Sequence, residues 1–149
     1  MLPKSLEKTL SLLNSCLTNH LKWAVDGSCA LALQSMEIKP HDIDLLTDRS
    51  GAYETEKILN RFVQYPVTYS ETEKYRSHFG IFLIDGVKVE IMGDLQTFRN
   101  GKWSIVMNPD STGVVFVNLI DGLIPVVPLG FLKGAGYIEE RLKKSTKII

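Results

Sequence analysis

Leucines at positions 6, 10, 13 and 17 recur at spacings of four, three and four, which draws one apolar stripe down an amphipathic helix. Pro3 stands where a first-turn proline is tolerated. Residues 21–25 then read as a short apolar strand running into Asp26-Gly27-Ser28, and residues 29–36 return to helical spacing until Lys39-Pro40 breaks it. Residues 43–47 predict a second strand. Residues 51–63 predict another amphipathic helix, with Ile58, Leu59 and Phe62 on its inner face. A short edge strand follows at 66–70, where Pro66 is admissible. The clearest hairpin joins 78–84 to 87–92 through Asp85-Gly86, a favoured two-residue turn. Further strands are expected at 102–107 and 114–119, and a helix at 129–142, which Gly130, Gly134 and Gly136 weaken.

This order of elements predicts an α+β (mixed α/β) fold: one mixed β-sheet covered by helices on one side. A chain of 149 residues can bury one real core, so residues 1–149 are expected to form a single domain. Residues 113–132 are apolar enough, and about long enough, to cross a bilayer. Yet Asp121-Gly122, Pro125 and Pro128 divide them, and short β-branched strands around a turn explain the segment better.

Composition adds exclusions. Seventeen basic and seventeen acidic side chains cancel, so no broad polyanion-binding surface is expected. The two cysteines, Cys16 and Cys29, fall on apolar helix faces and read as buried, reduced thiols; neither a disulfide framework nor a zinc spacing is present. The N-terminus carries no signal-peptide pattern, and a cytoplasmic protein is expected.

The chemistry concentrates around two carboxylates. Asp42 and Asp44 are two apart in a strand and share one face, while Ile43 and Leu45 turn to the core. Paired carboxylates repel unless a cation sits between them, and a hard divalent ion such as magnesium takes oxygen ligands and is completed by substrate phosphates. Alone, an Asp-x-Asp is better explained by a solvated strand end. Two features shift the balance. Gly27-Ser28 closes a strand and opens a helix, where free backbone N–H groups meet phosphate and glycine permits close approach. Neither the dinucleotide nor the P-loop glycine pattern is present. Glu90 alternates with Val89 and Ile91 in an apolar strand, as a salt-bridged edge residue or as a third ligand beside the Asp pair.

Gly27-Ser28, Asp42-x-Asp44 after a short helix, and a carboxylate on a later strand together resemble the nucleotidyltransferase superfamily, the DNA polymerase β-like fold. The resemblance spans roughly residues 21–92 and lies nearest the small lincosamide-type, abortive-infection-type and minimal branches. It implies that Asp42, Asp44 and Glu90 act catalytically and bind two Mg2+ ions, with Glu90 in place of the usual third Asp. Gly27 and Ser28 would cradle the phosphates of an NTP, ATP being the expected one. A nucleoside monophosphate would pass to an acceptor hydroxyl on a small molecule, an RNA or a protein, releasing pyrophosphate. Lys133 with Arg141-Leu142-Lys143 resembles a late basic helix of that superfamily, although Lys144 stands where Asp is expected and a solvated basic helix end explains the run better. His41 is placed to touch phosphate or to orient a carboxylate, or else is a loop residue. His78 starts the hairpin, Tyr75-Arg76 beside it is a weaker nucleotide contact, and Trp23 and Trp103 read as core. A non-catalytic partner or antitoxin-like subunit of the same fold is the alternative, with a homodimer or partner subunit expected for so short a chain. A metal-dependent phosphoesterase is a more distant one, since it would want histidines near the Asp pair.

Overall fold

The computed structural model describes residues 2–119 and 121–134. Its elements are α1 (Lys4–Leu17), β1 (Trp23–Asp26), α2 (Gly27–Leu33), β2 (Ile43–Thr47), α3 (Arg49–Ile58), a 3-10 turn at Asn60–Phe62, β3 (Val63–Glu71), β4 (Tyr75–Ile84), β5 (Val87–Arg99), β6 (Lys102–Trp103), α4 (Pro109–Thr112), β7 (Val115–Leu119), β8 (Gly122–Val126) and α5 (Leu129–Gly134). The strands form one mixed sheet in the order β3-β4-β5-β2-β1-β8-β7, with β6 pairing the end of β5. Two pairings are parallel, β2 with β5 and β1 with β8.

The leucine stripe accounts for α1. Leu6, Leu10, Leu13 and Leu17 are all buried, and fully burying a leucine contributes about 1.5–3 kcal/mol. They pack into one core with Val25, Leu45, Val89, Ile91 and Phe82 from the central strands. On β5 the alternation is regular: Val87, Val89 and Ile91 are buried, whereas Lys88, Glu90 and Met92 are half-buried on the other side. Helix α3 packs on β3, β4 and β5, and α1 on β5, β8 and α3. The opposite face of the central strands is left as the floor of a groove.

The hairpin forms as expected: Ile84 pairs with Val87, and Asp85 and Gly86 take the positive φ values of 48° and 80° that a tight hairpin turn demands. The apolar stretch 113–132 folds as the β7–β8 hairpin, and among the described residues no helix is long and apolar enough to cross a membrane.

Several boundaries differ from the sequence reading, among them the far end of β5, which runs on to Arg99. Helix α3 begins two residues early because the Asp48 carboxylate accepts a bond from Gly51 N at 2.7 Å and caps it. It ends at Ile58, where Leu59 leaves helical geometry with its side chain wholly buried and the chain tightens into the 3-10 turn. Helix α2 stops at Leu33 because Gln34 binds across to the last strand region, donating to Val127 O at 2.9 Å and accepting from Leu129 N at 3.0 Å. The strand expected at 102–107 shrinks to two residues, plus one bridge between Met107 and Leu95. The expected helix at 129–142 is described only to Gly134; Arg141, Lys143 and Lys144 lie outside the described residues.

Candidate functional site

Three carboxylate-bearing residues stand in one row across the middle of the sheet. Asp26 ends β1 and pairs with Asp44 on β2, and Asp44 pairs in turn with Glu90 on β5. Residues paired across adjacent strands project to the same face, and all three line the groove. The groove encloses about 600 Å³, within the size range of sites for small-molecule ligands. Leu46, Phe79, Met92 and Leu95 give it an apolar floor, and Ser70, Thr72, Lys74, Thr97 and Arg99 line it as well.

Gly27 is the keystone of this arrangement. It opens α2 with φ +64°, and a Cβ built on it would lie 2.2 Å from Asp44 Oδ2 and 3.1 Å from Asp44 Cγ. The Asp44 carboxylate therefore rests directly on the glycine Cα. Glycine is required twice over, for the left-handed backbone and for the missing side chain.

Asp26, which sequence reasoning passed over, caps α2: its Oδ1 accepts from Gly27 N at 2.8 Å. Burial pushes its carboxyl above the usual carboxylate range, against the opposing pull of that hydrogen bond. A raised folded-state pKa means that the stability Asp26 contributes is complete below the ordinary Asp range and is lost as pH rises through the higher value. Asparagine caps as well as aspartate and does not titrate. Asp26→Asn is thus expected to gain stability relative to the wild type as pH climbs from strongly acid to neutral, while Ser28→Ala, which removes no cap, leaves stability nearly unchanged. Parallel melting-temperature curves for Asp26→Asn and wild type across that pH range would show that the carboxyl is not strained by burial.

The remaining expected residues divide. Ser28 is buried in the first turn of α2. Asp42 lies just ahead of β2, exposed, and does not line the groove; its carbonyl accepts the Cys29 thiol at 3.3 Å. Burial, with smaller contributions from Asp44 and Asp42, pushes that thiol up to about 12, as befits an inert structural cysteine. Glu90 pairs with Lys88, Nζ to Oε1 at 2.9 Å. Among the described residues no three acidic, histidine or cysteine side chains stand close enough to hold a metal ion as they are placed. The Lys88 ammonium pairs with Glu90 instead, and its pKa is raised first by Glu90 and then by the more distant charges of Asp42 and Asp44.

His41 is exposed in the bend before β2, and Lys133 is exposed in α5; neither lines the groove, although Phe131 and Leu132 beside Lys133 do. His78 turns to the helical face, its Nδ1 2.9 Å from the Tyr53 hydroxyl of α3. The Arg76 guanidinium stacks 4.3 Å over the Trp103 ring, outside the groove, while Tyr75 lines it. Trp23 is core, as expected.

The donor set is hard oxygen, the class that magnesium takes. Gly27 admits the Asp44 carboxylate only because it has no Cβ, and Glu90 already holds one cation, the Lys88 ammonium.

Comparison with known proteins bears on the family and the fold. The aminoglycoside-2''-adenylyltransferase family model matches residues 8–129. A Thermotoga maritima protein classed as a nucleotidyltransferase is similar in structure, with 37% identity, a TM-score of 0.85, and coverage of 99% of this chain and 92% of that one. ANT(2'')-Ia in complex with adenylyl-2''-tobramycin shares the fold at 14% identity, with a TM-score of 0.54 over 90% of this chain and 78% of that one. None of the curated proteins matches.

Proposed function

The chain belongs to the aminoglycoside-2''-adenylyltransferase family and is a nucleotidyltransferase, and from that premise we propose that it transfers a nucleoside monophosphate, AMP being the expected one, from an NTP to an acceptor hydroxyl with divalent-metal help. The observation that carries this reading is the Asp44–Glu90 pair on parallel neighbouring strands at the groove, with Gly27 fixed beneath Asp44. Asp42, Asp44 and Glu90 are the residues that would hold Mg2+. Bound there, the metal would neutralise charge on the reacting phosphate and ease loss of the acceptor proton. Asp44, immobilised against Gly27, fixes where that charge is held. The groove floor of Leu46, Phe79 and Met92 offers apolar surface to a nucleobase or acceptor. The acceptor oxygen forms a bond to the α-phosphorus, the bond from that phosphorus to the β-phosphate oxygen breaks, and pyrophosphate and the hydroxyl proton leave.

The test uses ATP labelled at the α-phosphate, with each other NTP in parallel, offered with Mg2+ to a panel of aminoglycosides and to cell extract. The expected result is α-label on one acceptor, stoichiometric pyrophosphate, and loss of both with a chelator. Absence of label transfer from every NTP would favour the non-catalytic partner of the same fold.

A further inference from the structure

Lys88 stands beside the carboxylate row and has no part in the reading above. It stands two before Glu90 on β5, and strand periodicity puts both side chains on the same face. Its ammonium is 2.9 Å from Glu90 Oε1, with the two side chains 42% and 26% exposed. Exposed ion pairs of this kind add little to stability and break readily, so structural need does not account for it. What distinguishes the pair is its surroundings: the ammonium also feels Asp42 and Asp44. One cation on a flexible four-carbon stem thus holds one of the carboxylates assigned to the metal and feels the charge of the other two.

We propose that Lys88 couples metal entry to nucleotide entry, holding Glu90 until a metal–nucleotide complex arrives and then moving to a phosphate of that nucleotide. The proposal rests on the metal-site reading given above. A divalent ion arriving alone must displace the ammonium from Glu90 and leave it unpaired beside a second positive charge, which is unfavourable. A metal–triphosphate complex brings its own acceptor oxygens, so the displaced ammonium exchanges a carboxylate for a phosphate and loses no partner. Lys88 then opposes the bare metal and favours the complex. It would keep the site from filling with metal ahead of substrate.

The signature is a pair of opposite effects from one substitution. Mn2+ alone and α,β-methylene-ATP with Mn2+ are titrated calorimetrically into wild type, Lys88→Met, Lys88→Arg, Asp44→Asn, Glu90→Gln and the double variant Lys88→Met/Glu90→Gln, with melting curves confirming that each is folded. Lys88→Met should bind Mn2+ alone about tenfold tighter, and the analogue with Mn2+ about tenfold weaker, the size expected for one screened charge. Lys88→Arg should stay near wild type in both. The gain in Mn2+ affinity from Lys88→Met should largely vanish when it is made in the Glu90→Gln background, because the ammonium acts through Glu90. Weaker Mn2+ binding in Asp44→Asn with no gain in Lys88→Met would overturn the role of Lys88 and leave the metal site standing. Unchanged Mn2+ binding in Asp44→Asn would overturn both. A shift of the same sign in both titrations, or a full gain persisting without Glu90, would also overturn the coupling.

Discussion

Asp44→Asn should lower nucleotidyl transfer at least about a hundredfold, because a metal-held charge at the reacting phosphate is worth several kcal/mol of transition-state stabilisation. Asp44 is the central residue of the row, flanked by Asp26 on one side and Glu90 on the other. Asparagine keeps its shape and removes its charge, so the protein should lose catalysis without losing its fold. The residue keeps its shape against Gly27, and the melting temperature of the metal-free variant should stay close to that of wild type. Turnover under saturating nucleotide and a melting curve on the same preparation check both halves. A variant that transfers normally would remove Asp44 from the mechanism, and one that unfolds would make it structural.

Gly27→Val should abolish transfer and also cost stability, about 1–2 kcal/mol from the left-handed backbone alone. The sequence leads to the expectation that a side chain here would obstruct the triphosphate. The structure gives a nearer cause: the new Cβ would meet Asp44 Oδ2 at 2.2 Å, a distance no real Cβ tolerates. Asp44 must leave its position or β1 and β2 must separate. Even Gly27→Ala meets this contact, so both variants should lose Mn2+ binding along with activity, which obstruction of the triphosphate alone would not cause. Calorimetric titration with Mn2+ in the absence of nucleotide distinguishes the two causes. Wild-type Mn2+ affinity in Gly27→Ala would show that the glycine serves the phosphates and not the carboxylate.

Much of this was legible because it is local. Period-two alternation around Asp44 and Glu90, the leucine stripe of α1 and the Asp85-Gly86 turn each need only a few neighbouring residues to be read. The row itself was not legible, because Asp26, Asp44 and Glu90 become neighbours only through pairings of β1 with β2 and β2 with β5. Asp26 reads as one more turn residue before Gly27, and nothing in linear spacing puts it beside Asp44. Lys88 was open to detection, since its spacing from Glu90 already places it on the same face. Its meaning required knowing that Asp44 pairs beside Glu90 at the groove. His78 illustrates the converse: one irregularity in the β4–β5 register between Arg76 and His78 accompanies a histidine turned beneath α3, and such irregularities leave no mark in composition.

The parallel pairings bear on when during synthesis the molecule becomes functional. Val25 on β1 pairs with Val126 on β8, and Asp44 with Glu90. Each contact closes a long loop, which carries an entropic cost and makes for slow, late assembly in chains of high contact order. On the ribosome, Asp26 and Asp44 emerge early, yet Asp44 gains its neighbour only once β5 is made, and β1 gains its second neighbour only once β8 is made. No partial chain ending before β5 can present the carboxylate row. The capacity to handle nucleotide is therefore withheld from the nascent polypeptide and arrives with the closing of the sheet.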